Sequence, residues 1–391
     1  MIPRTMESHL LNIAGKFPVV TLTGPRQSGK TTLCRKLFPD KAYVSLEEPD
    51  VRARAIDDPR GFLGELSKGC ILDEVQRTPD LLSYLQGMVD EDPSPGRFIL
   101  TGSQNLNLLA SISQSLAGRT AICHLLPLSV EEIPEVGDLW QTIFCGGYPR
   151  IHSSSVGPQE WISSYVQTYI ERDVREVLNV GDLASFQTFM GLCAGRTGQV
   201  LNLTSLGSDC GINQKTAKAW LSVLETSFLA FRLRPFFHNL GKRWVKSPKL
   251  HFFDSGLVCF LLGIREPQQL TTHPLRGAIF ETWVVSECYK AQVNRGINPD
   301  LFHWRDAKGH EVDLVALSGG HATLVEVKSG KTMATDFLQP LDHFAHLLDT
   351  KDDLVNSSSK FLVYGGDEEI QHRETQVLPW SKLPGLFSSL V

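Results

Sequence analysis

The chain carries a contiguous run of residues whose types and spacing suit phosphate binding. The run reads G-x-x-x-x-G-K-T, begins at Gly24 and directly follows the short β-rich run 19–23. Its glycines let the backbone turn tightly, so that successive N–H groups face phosphate oxygens at the positive end of a helix. Lys30 would reach the β- and γ-phosphates. The predicted ATP-binding residues are Gly24, Pro25, Arg26, Gln27, Ser28, Gly29, Lys30, Thr31 and Thr32.

A second group of residues predicts the magnesium ion that accompanies ATP. A P-loop needs a carboxylate at the end of a neighbouring strand to hold this metal. The short apolar run 70–72 ends in Asp73 and Glu74. We expect Thr31 and Asp73 to hold Mg²⁺, with Asp73 acting through water, and Glu74 to polarise the attacking water. A strand that simply ends in a solvated acidic turn is the alternative.

A strongly basic segment lies beyond the middle of the chain. Residues 211–250 contain eight Lys or Arg residues and one acid, whereas the whole chain has a net charge of −5. Two helical runs separated by Gly211 and followed by a strand have the rhythm of a winged helix. Such a charge concentration is typical of a phosphate-binding face. A lid or protein-docking module is the alternative. The predicted DNA-binding residues are Asn213, Gln214, Lys215, Lys218, Arg232 and Arg234.

Three acids and a lysine near the C-terminus form the third group of candidate functional residues. Glu281 lies in a predicted helix and Asp313 in the second arm of a predicted hairpin. Glu326 and Lys328 share one face of a predicted strand. In this order they resemble the PD-(D/E)xK nuclease fold, although its proline is absent. The resemblance implies that Asp313 and Glu326 hold a divalent ion and that Glu281 assists. It implies that Lys328 orients or deprotonates a water attacking a phosphodiester. A solvated strand face, or a copy of the fold that binds DNA without cutting, is the alternative.

The elements that must position these residues divide into three regions. Residues 1–150 alternate strand-like and helix-like runs, which predicts an α/β domain with a parallel sheet. A Ser-, Gly- and Pro-containing stretch at 153–158 marks a linker. The region 158–265 is predicted to be helical and to include the winged helix. Residues 266–391 predict an α+β domain that contains an amphipathic helix over about 277–292.

Composition narrows the class of protein. A chain of 391 residues with 42% hydrophobic and 21% charged residues suits a globular protein of two or three domains. Its eight cysteines include no C-x-x-C pair, which predicts reduced thiols rather than a zinc site or a disulfide framework. No apolar stretch is long enough for a membrane span, and the N-terminus lacks the apolar core of a signal peptide. We therefore expect a cytoplasmic protein without a membrane partner.

Several short motifs together resemble one known family. The strings GPRQSGKTTL, ILDEVQR, LTGSQN, LAGR and GGYPR occur in this order, and the chain looks like the prokaryotic AAA+ ATPases that carry a C-terminal domain of nuclease-like fold. The resemblance implies binding and hydrolysis of ATP. It also implies that Ser103 and Gln104 contact the γ-phosphate and water. Arg119 would be an arginine finger directed at a neighbouring subunit, which carries the expectation of a homo-oligomer. An ordinary turn and a solvated charge are the alternatives.

Two functions from different classes follow from these observations. The first is enzymatic: an ATPase that acts on DNA and has a metal-dependent nuclease domain. The second is a switch, in which ATP binding changes a protein or DNA interaction and no bond other than that of the γ-phosphate is broken. Metal-dependent cutting of plasmid DNA separates the two, because only the first function requires it.

Overall fold

The computed structural model describes residues 1–103, 112, 114–170, 183–236, 247–351 and 355–390. Its strands form two sheets, which we call the first sheet and the second sheet in chain order. The P-loop borders the first sheet. The C-terminal acids border the second.

The first sheet is the parallel sheet that the strand–helix alternation predicts. Its strands are β1 (Val19–Thr23), β2 (Ala42–Ser45), β3 (Cys70–Asp73), β4 (Phe98–Thr101) and β5 (Thr120–His124). Within the described residues they lie in the order β2-β3-β4-β1-β5, and every neighbouring pair is parallel. The loops after β1, β3 and β4 therefore meet at one edge of the sheet, which is where open α/β sheets bind ligands.

Helices cover both faces of the first sheet. They are α1 (Glu7–Ala14), α2 (Lys30–Leu37), α3 (Pro49–Asp57), α4 (Pro59–Glu65) and α5 (Leu81–Glu91), with a 3-10 turn at Val75–Arg77. Alternate residues of β1 face two separate cores: Val20 and Leu22 pack on one side, and Val19 packs on the other. Strands β1, β3 and β4 are buried along their whole length, which explains why they are short, mainly apolar runs.

The next seven helices of the described residues follow the first sheet along the chain, and the last three of them lie between strands of the second sheet. They are α6 (Leu139–Cys145), α7 (Pro149–Ser153), α8 (Pro158–Tyr165), α9 (Leu183–Gly195), α10 (Leu203–Asp209), α11 (Gln214–Thr226) and α12 (Ser255–Leu261), and a π-helical turn, Val166–Ile170, extends α8. Tyr148 precedes α7, and its ring centroid lies 4.8 Å from those of Trp161 and Tyr165 on α8. The stretch 153–158 is thus a short bend between packed helices, and the sequence signal for a linker marks this bend.

The second sheet crosses the domain limit that the sequence predicts at residue 265. Its strands are β6 (Gln199–Val200), β7 (Ala230–Pro235), β8 (Lys249–Phe252), β9 (Leu301–Arg305), β10 (Glu311–Ser318), β11 (His321–Lys328), β12 (Ser357–Tyr364), β13 (Ile370–His372) and β14 (Thr375–Pro379). Within the described residues their order is β13-β14-β12-β11-β10-β9-β7-β8-β6. The parallel pairing of Arg234 with Phe302 joins the strands from the two sides of residue 265. The domain limits themselves stay predictions.

One long helix, α13 (Arg276–Asn294), packs against the second sheet. The expectation of an amphipathic helix is wrong here, because most of its residues are buried. It contacts β8 and β11 of the second sheet and also β5 of the first. From α13, Glu287 accepts the backbone N–H of Val130 at 2.6 Å, and Lys290 donates to the Leu128 carbonyl oxygen at 3.1 Å. Further helices and 3-10 turns are Pro267–Thr271, Thr335–Leu338, α14 (Gln339–Lys351), Trp380–Lys382, α15 (Leu383–Phe387) and Ser388–Leu390.

Two expectations from composition can be compared with this fold. All eight cysteines lie in the described residues, where none forms a disulfide and six are buried. Among the helices of the described residues, none combines the length and the apolar character that crossing a bilayer requires.

Candidate functional site

The P-loop lies at the carboxyl end of β1 and leads directly into α2. Gly24 has a φ of +146°, and a Cβ at this position would meet the carbonyl oxygen of Leu125 at 2.2 Å. Gly29 has a φ of +94° and stands at the amino end of α2. Glycine is required at both positions because L side chains rarely adopt such φ values. The loop thus has the strand–turn–helix context that its sequence pattern predicts.

Lys30, the first residue of α2, points back into the loop. Its ammonium group donates to the carbonyl oxygens of Gly24 at 3.1 Å and Pro25 at 2.8 Å. The side chain is buried, and this burial lowers the pKa of Lys30 to about 8, although Glu74 and Asp73 oppose the shift. A cation held only by carbonyl oxygens can exchange them for phosphate oxygens, which bind a charged donor more strongly.

Asp73, at the end of β3, is the centre of a hydrogen-bond network. Its Oδ2 accepts from the hydroxyls of Thr31 at 3.0 Å and Tyr43 at 2.7 Å, and its Oδ1 accepts from the Thr101 hydroxyl. The fold therefore brings together the two predicted magnesium ligands, and their hydroxyl and carboxylate oxygens fit this metal. Tyr43 and Thr101 were not predicted from the sequence, although Thr101 stands in the string LTGSQN, because they become neighbours of Asp73 only when β2 and β4 flank β3.

Glu74 occupies an unusual backbone conformation beside this network. Its φ is +57°, in the left-handed region that few residues other than glycine adopt. Its carboxylate accepts a hydrogen bond from the Gln76 amide, and the same amide donates to the Ser103 hydroxyl at 2.9 Å. Glu74 and Ser103, both predicted from the sequence, are thus linked by a residue that the sequence analysis missed. The other predicted γ-phosphate contact, Gln104, lies outside the described residues.

A cavity of about 390 Å³ lies between the P-loop and α7. Its walls include Lys30, Thr31 and Glu74, and α7 contributes Arg150 from the opposite side. The string GGYPR ends in Arg150, for which the sequence predicted no role, so Arg150 is a further site residue that only the structure reveals. The full lining is Arg26, Gln27, Gly29, Lys30, Thr31, Thr32, Glu74, Pro149, Arg150 and Ser153.

The N-terminal segment forms hydrogen bonds to the P-loop. Arg4 donates to the carbonyl oxygens of Ser28 at 2.8 Å and Leu126 at 2.7 Å, and its Nε lies 3.2 Å from a carboxylate oxygen of Glu132. A smaller, mainly apolar pocket of about 180 Å³ adjoins this contact. It is lined by Met1, Ile2, Arg4, Ser28, Gly29, Thr32, Leu33, Leu128, Pro149 and Ser153. The two pockets share the P-loop as a common wall.

Arg119 lies at the opposite edge of the first sheet from the P-loop. It immediately precedes β5, and its carbonyl oxygen accepts the N–H of Val19 at the start of β1. Its guanidinium group forms a two-pronged ion pair with Asp90, at 2.5 and 2.9 Å. Because β1 separates Arg119 from the P-loop of its own chain, the predicted finger role requires a second subunit.

The predicted DNA-binding residues Gln214, Lys215 and Lys218 lie on α11. Helices α10 and α11 pack together around a turn at Gly211. On α11, Gln214, Lys215 and Lys218 are exposed. Asn213 caps this helix instead, because its side-chain oxygen accepts the N–H of Thr216 at 2.9 Å. Three further basic residues of the segment, Lys242, Arg243 and Lys246, lie outside the described residues.

The arginines of β7 are engaged by acids. Arg232 donates to both carboxylate oxygens of Glu225, at 2.6 and 3.0 Å. Arg234 lies 3.7 Å from Asp300 and above the ring of Phe302. Both arginines keep exposed surface, so their assignment to DNA binding stays a prediction. The positive charge of this strand is nevertheless partly neutralised within the chain.

The C-terminal acids surround Lys249, which belongs to the basic segment 211–250. Lys249 is buried, and its ammonium group lies 2.7 Å from Glu281 and 3.4 Å from Asp313 and also contacts Glu311. The expectation that Lys249 contributes to a surface charge is therefore wrong. The predicted residues Glu281 and Asp313 do come together, but they do so around an ammonium group.

Glu326 and Lys328 stand beside this group on β11. The two side chains pair with each other, and Asp313 accepts the backbone N–H of Val327 at 2.9 Å. Burial and the neighbouring Asp313 raise the pKa of Glu326 to about 9, and burial raises the pKa of Glu281 to about 8.

The donor atoms of these acids do not converge as a metal site requires. In the described parts of the chain, one group of His, Cys, Asp or Glu residues has all its ligand atoms within 4.8 Å of one another, and it is Asp306, His310 and His343. Glu281, Asp313 and Glu326 do not form such a group. The predicted divalent ion at the C-terminal acids therefore does not fit their present arrangement.

Comparison with known families divides the chain into three matched stretches. A family described as "AAA domain" matches residues 16–134, which include the whole P-loop, Asp73 and Glu74. A "Domain of unknown function (DUF8612)" matches residues 136–268. A "Domain of unknown function (DUF4143)" matches residues 276–383, and this description assigns no nuclease likeness to the C-terminal acids.

Two mycobacterial proteins resemble the chain over most of its length. They are "Uncharacterized protein Rv2008c" of Mycobacterium tuberculosis and "Uncharacterized protein Mb2031c" of Mycobacterium bovis. Each is 33% identical over 336 residues, which covers 84% of this chain and 74% of the relative.

Solved structures with weaker similarity include a Walker-type ATPase and a RuvB protein. The Walker-type ATPase PABY2304 of Pyrococcus abyssi is 15% identical, covers 67% of this chain and 96% of its own, and has a TM-score of 0.47. A variant of RuvB from Thermotoga maritima is 19% identical, covers 58% of this chain and 86% of its own, and has a TM-score of 0.29.

The family match and the geometry of the P-loop agree with each other. The "AAA domain" match covers every described residue of the P-loop network around Lys30 and Asp73. The predicted AAA+ ATPase and its ATP ligand are confirmed at this level, and the nuclease-like fold of the C-terminal region stays a prediction. The chain is an ATP-binding AAA+ P-loop ATPase and belongs to one family with the mycobacterial proteins Rv2008c and Mb2031c.

Proposed function

We propose that this chain hydrolyses ATP with Mg²⁺ at the P-loop and uses the hydrolysis cycle as a switch. The observation that carries this proposal is the 3.0 Å contact between Thr31 and Asp73, with Glu74 lining the same cavity. Thr31, which contacts Asp73, and Glu74, the proposed residue for the attacking water, thus line one cavity. Magnesium would be held by Thr31 and Asp73 and would neutralise charge on the phosphates.

Each remaining group has a distinct role in this proposal. Lys30 leaves the carbonyl oxygens of the loop and binds phosphate oxygens. Glu74 orients and polarises water, while Gln76 holds its carboxylate in place. The smaller, mainly apolar pocket beside Leu33 accepts the adenine base of ATP. Arg150, on the far side of the cavity, supplies a second positive charge near the phosphates.

Substitution of Glu74 tests the proposed hydrolysis. Lys30→Ala should abolish ATP binding or weaken it greatly, whereas Glu74→Gln should bind ATP and lose turnover, because only the carboxylate that acts on water is removed. Glu135→Gln is the matched control, since Glu135 is exposed and remote from the cavity. Binding by fluorescent-nucleotide titration and phosphate release are measured on the same samples. Turnover of Glu74→Gln at the parental rate contradicts the role of Glu74.

A second proposal concerns what the switch acts on. Lys215 and Lys218 are exposed on one helix together with Gln214, which is the arrangement of a helix that contacts phosphates and base edges of DNA. A lid or protein-docking module is the competing function, and it predicts that these lysines affect ATP turnover or subunit association instead. We favour DNA because the two exposed lysines have no acid within ion-pair distance among the described residues.

A salt-dependent titration separates the two functions of this helix. The double variant Lys215→Ala/Lys218→Ala should weaken binding of labelled duplex and flatten its salt dependence, by about 0.9 log units per log unit of salt for each phosphate that is no longer neutralised. The control is Lys16→Ala/Lys68→Ala, which removes two exposed lysines of the first region. Binding that ignores both salt and Lys215/Lys218 contradicts the DNA proposal. Cleavage of DNA by the C-terminal acids stays a prediction that no contact in the described residues favours.

A further inference from the structure

The ammonium group of Lys249 lies among three carboxylates, one of which belongs to the predicted metal ligand Asp313. It contacts carboxylates from two different elements: Glu281 on α13, and Glu311 and Asp313 on β10. The side chain is only 3% exposed, so its charge is solvated by these acids and not by water. A buried charge persists in a protein only when it is paired in this way.

The backbone of Lys249 cannot move away easily. Lys249 is the first residue of β8, which lies between β6 and β7 and pairs with both. Its neighbours in these strands are Val200 and Leu233. Withdrawal of the side chain therefore requires either the breaking of ladder hydrogen bonds on two sides or a rotamer that takes the ammonium group into an apolar core.

Other residues of β8 face the same helix. His251, two residues further along, lies on the same side of the strand, and its Nδ1 is 3.1 Å from the Thr282 hydroxyl. Lys249 and His251 of β8 thus contact the adjacent residues Glu281 and Thr282 of α13. Arg305 adds a further positive charge 3.5 Å from Glu311. Glu281, Glu311 and Asp313 are thus paired within the chain, whereas the buried Oε2 of Glu326 has no hydrogen-bond partner among the described residues. These ion pairs link β8 to α13 and β10.

We infer that Lys249 permanently takes the place of a divalent ion among Glu281, Glu311 and Asp313. These side chains are then a structural ion-pair network and not a nuclease centre. A hard ion such as Mg²⁺ binds oxygens at about 2.0–2.1 Å and would have to displace the ammonium group from the same oxygens. Mutual repulsion between the two cations excludes joint occupancy at such distances. The inference is independent of ATP turnover at the P-loop.

Manganese binding and thermal unfolding, both without nucleotide, test this inference. The parent should bind no Mn²⁺ that depends on Asp313, as measured by electron paramagnetic resonance titration of parent and Asp313→Asn. Lys249→Met keeps most of the side-chain volume and removes the charge. It should lower Tm by at least about 5 °C, because it leaves buried carboxylates unpaired. Added Mn²⁺ should then raise the Tm of Lys249→Met and not that of the parent.

The double variant Lys249→Met/Asp313→Asn keeps the test decisive if the single variant does not fold. It removes one of the unpaired acids and should recover part of the decrease in Tm, which a purely packing role of Lys249 does not predict. Lys308→Met, at an exposed turn, is the control and should match the parent. Asp313-dependent Mn²⁺ binding by the parent, Asp313-dependent cutting of supercoiled plasmid, or an unchanged Tm for Lys249→Met overturns the inference.

Discussion

The side-chain amide of Gln76 lies 2.9 Å from the Ser103 hydroxyl and also donates to the carboxylate of Glu74. It therefore joins the end of β3 to the loop after β4. Glu74 has an uncommon left-handed backbone conformation, so its carboxylate depends on outside contacts for its direction. The hydrogen bond from the Gln76 amide orients the Glu74 carboxylate.

Replacement of Gln76 should reduce turnover more than binding. Gln76→Ala frees the Glu74 carboxylate, and a displacement of about 1 Å at a reacting group can cost on the order of 100-fold in rate. We expect kcat to fall by about this factor while KM changes little, because the phosphate contacts remain. Steady-state ATPase kinetics measure both. A change confined to KM contradicts the positioning role, and Ser103→Ala should have a smaller effect in the same direction.

Arg150 should stabilise the transition state of hydrolysis, in which negative charge develops on the phosphates. Its guanidinium group lines the cavity from α7, outside the region that the "AAA domain" match covers. Loss of one donor to a developing charge costs about 100-fold in kcat, so Arg150→Ala should show a decrease of this size. Arg150→Lys should recover part of it. Equal activity of parent and Arg150→Ala in phosphate-release assays contradicts a role for Arg150 in the site.

Arg119 should act on a neighbouring subunit if it acts on nucleotide at all. A finger supplied in trans is worth on the order of 1,000-fold in kcat, so Arg119→Ala subunits mixed into the parent should reduce activity more than simple dilution does. Specific activity should also rise with protein concentration. Asp90→Asn is the informative control, because it breaks the ion pair and leaves the arginine in place. Equal decreases for both variants indicate a structural role for the pair, and strictly linear activity from a monomer removes the finger.

The affinity for ATP should fall as pH rises above about 8. Burial lowers the pKa of Lys30 to about 8, so the free protein loses this positive charge as pH rises through that value. Bound phosphates favour the charged form, so binding above this pH takes up a proton, and Kd should rise by up to about tenfold per pH unit. Calorimetry in buffers of different ionisation enthalpy detects the proton. Lys68→Ala should keep the same slope, and a Kd that is constant between about pH 7 and about pH 9 contradicts the prediction.

The P-loop could be predicted because its chemistry is contiguous in the chain. Gly24, Gly29 and Lys30 stand at fixed offsets, and the local turn they require is the same in any surrounding fold. The acidic end of β3 could be predicted for the same reason, since Asp73 directly follows an apolar run. Local backbone requirements and short offsets are properties that a sequence displays directly.

For the C-terminal acids, the sequence was not sufficient to predict the interactions that they make. Glu281, Asp313 and Glu326 could be selected from the sequence by type and order, but their common partner could not. Lys249 is 32 residues from the nearest of the carboxylates that bind its ammonium group, and it appeared in the sequence as one of several surface charges. Only the pairing of β7 with β9, which merges two regions into one sheet, brings it among them.

The sequence by itself determined the class of the protein, the P-loop and the carboxylates that follow β3, because each depends on residues close together in the chain. The tertiary structure decided which distant side chains complete these groups: Tyr43 on Asp73, Arg150 across the cavity, and Lys249 among the acids. The physical reason is that charge partners are chosen by distance in space and by burial. Both are set by strand order and helix packing, which no short stretch of sequence contains.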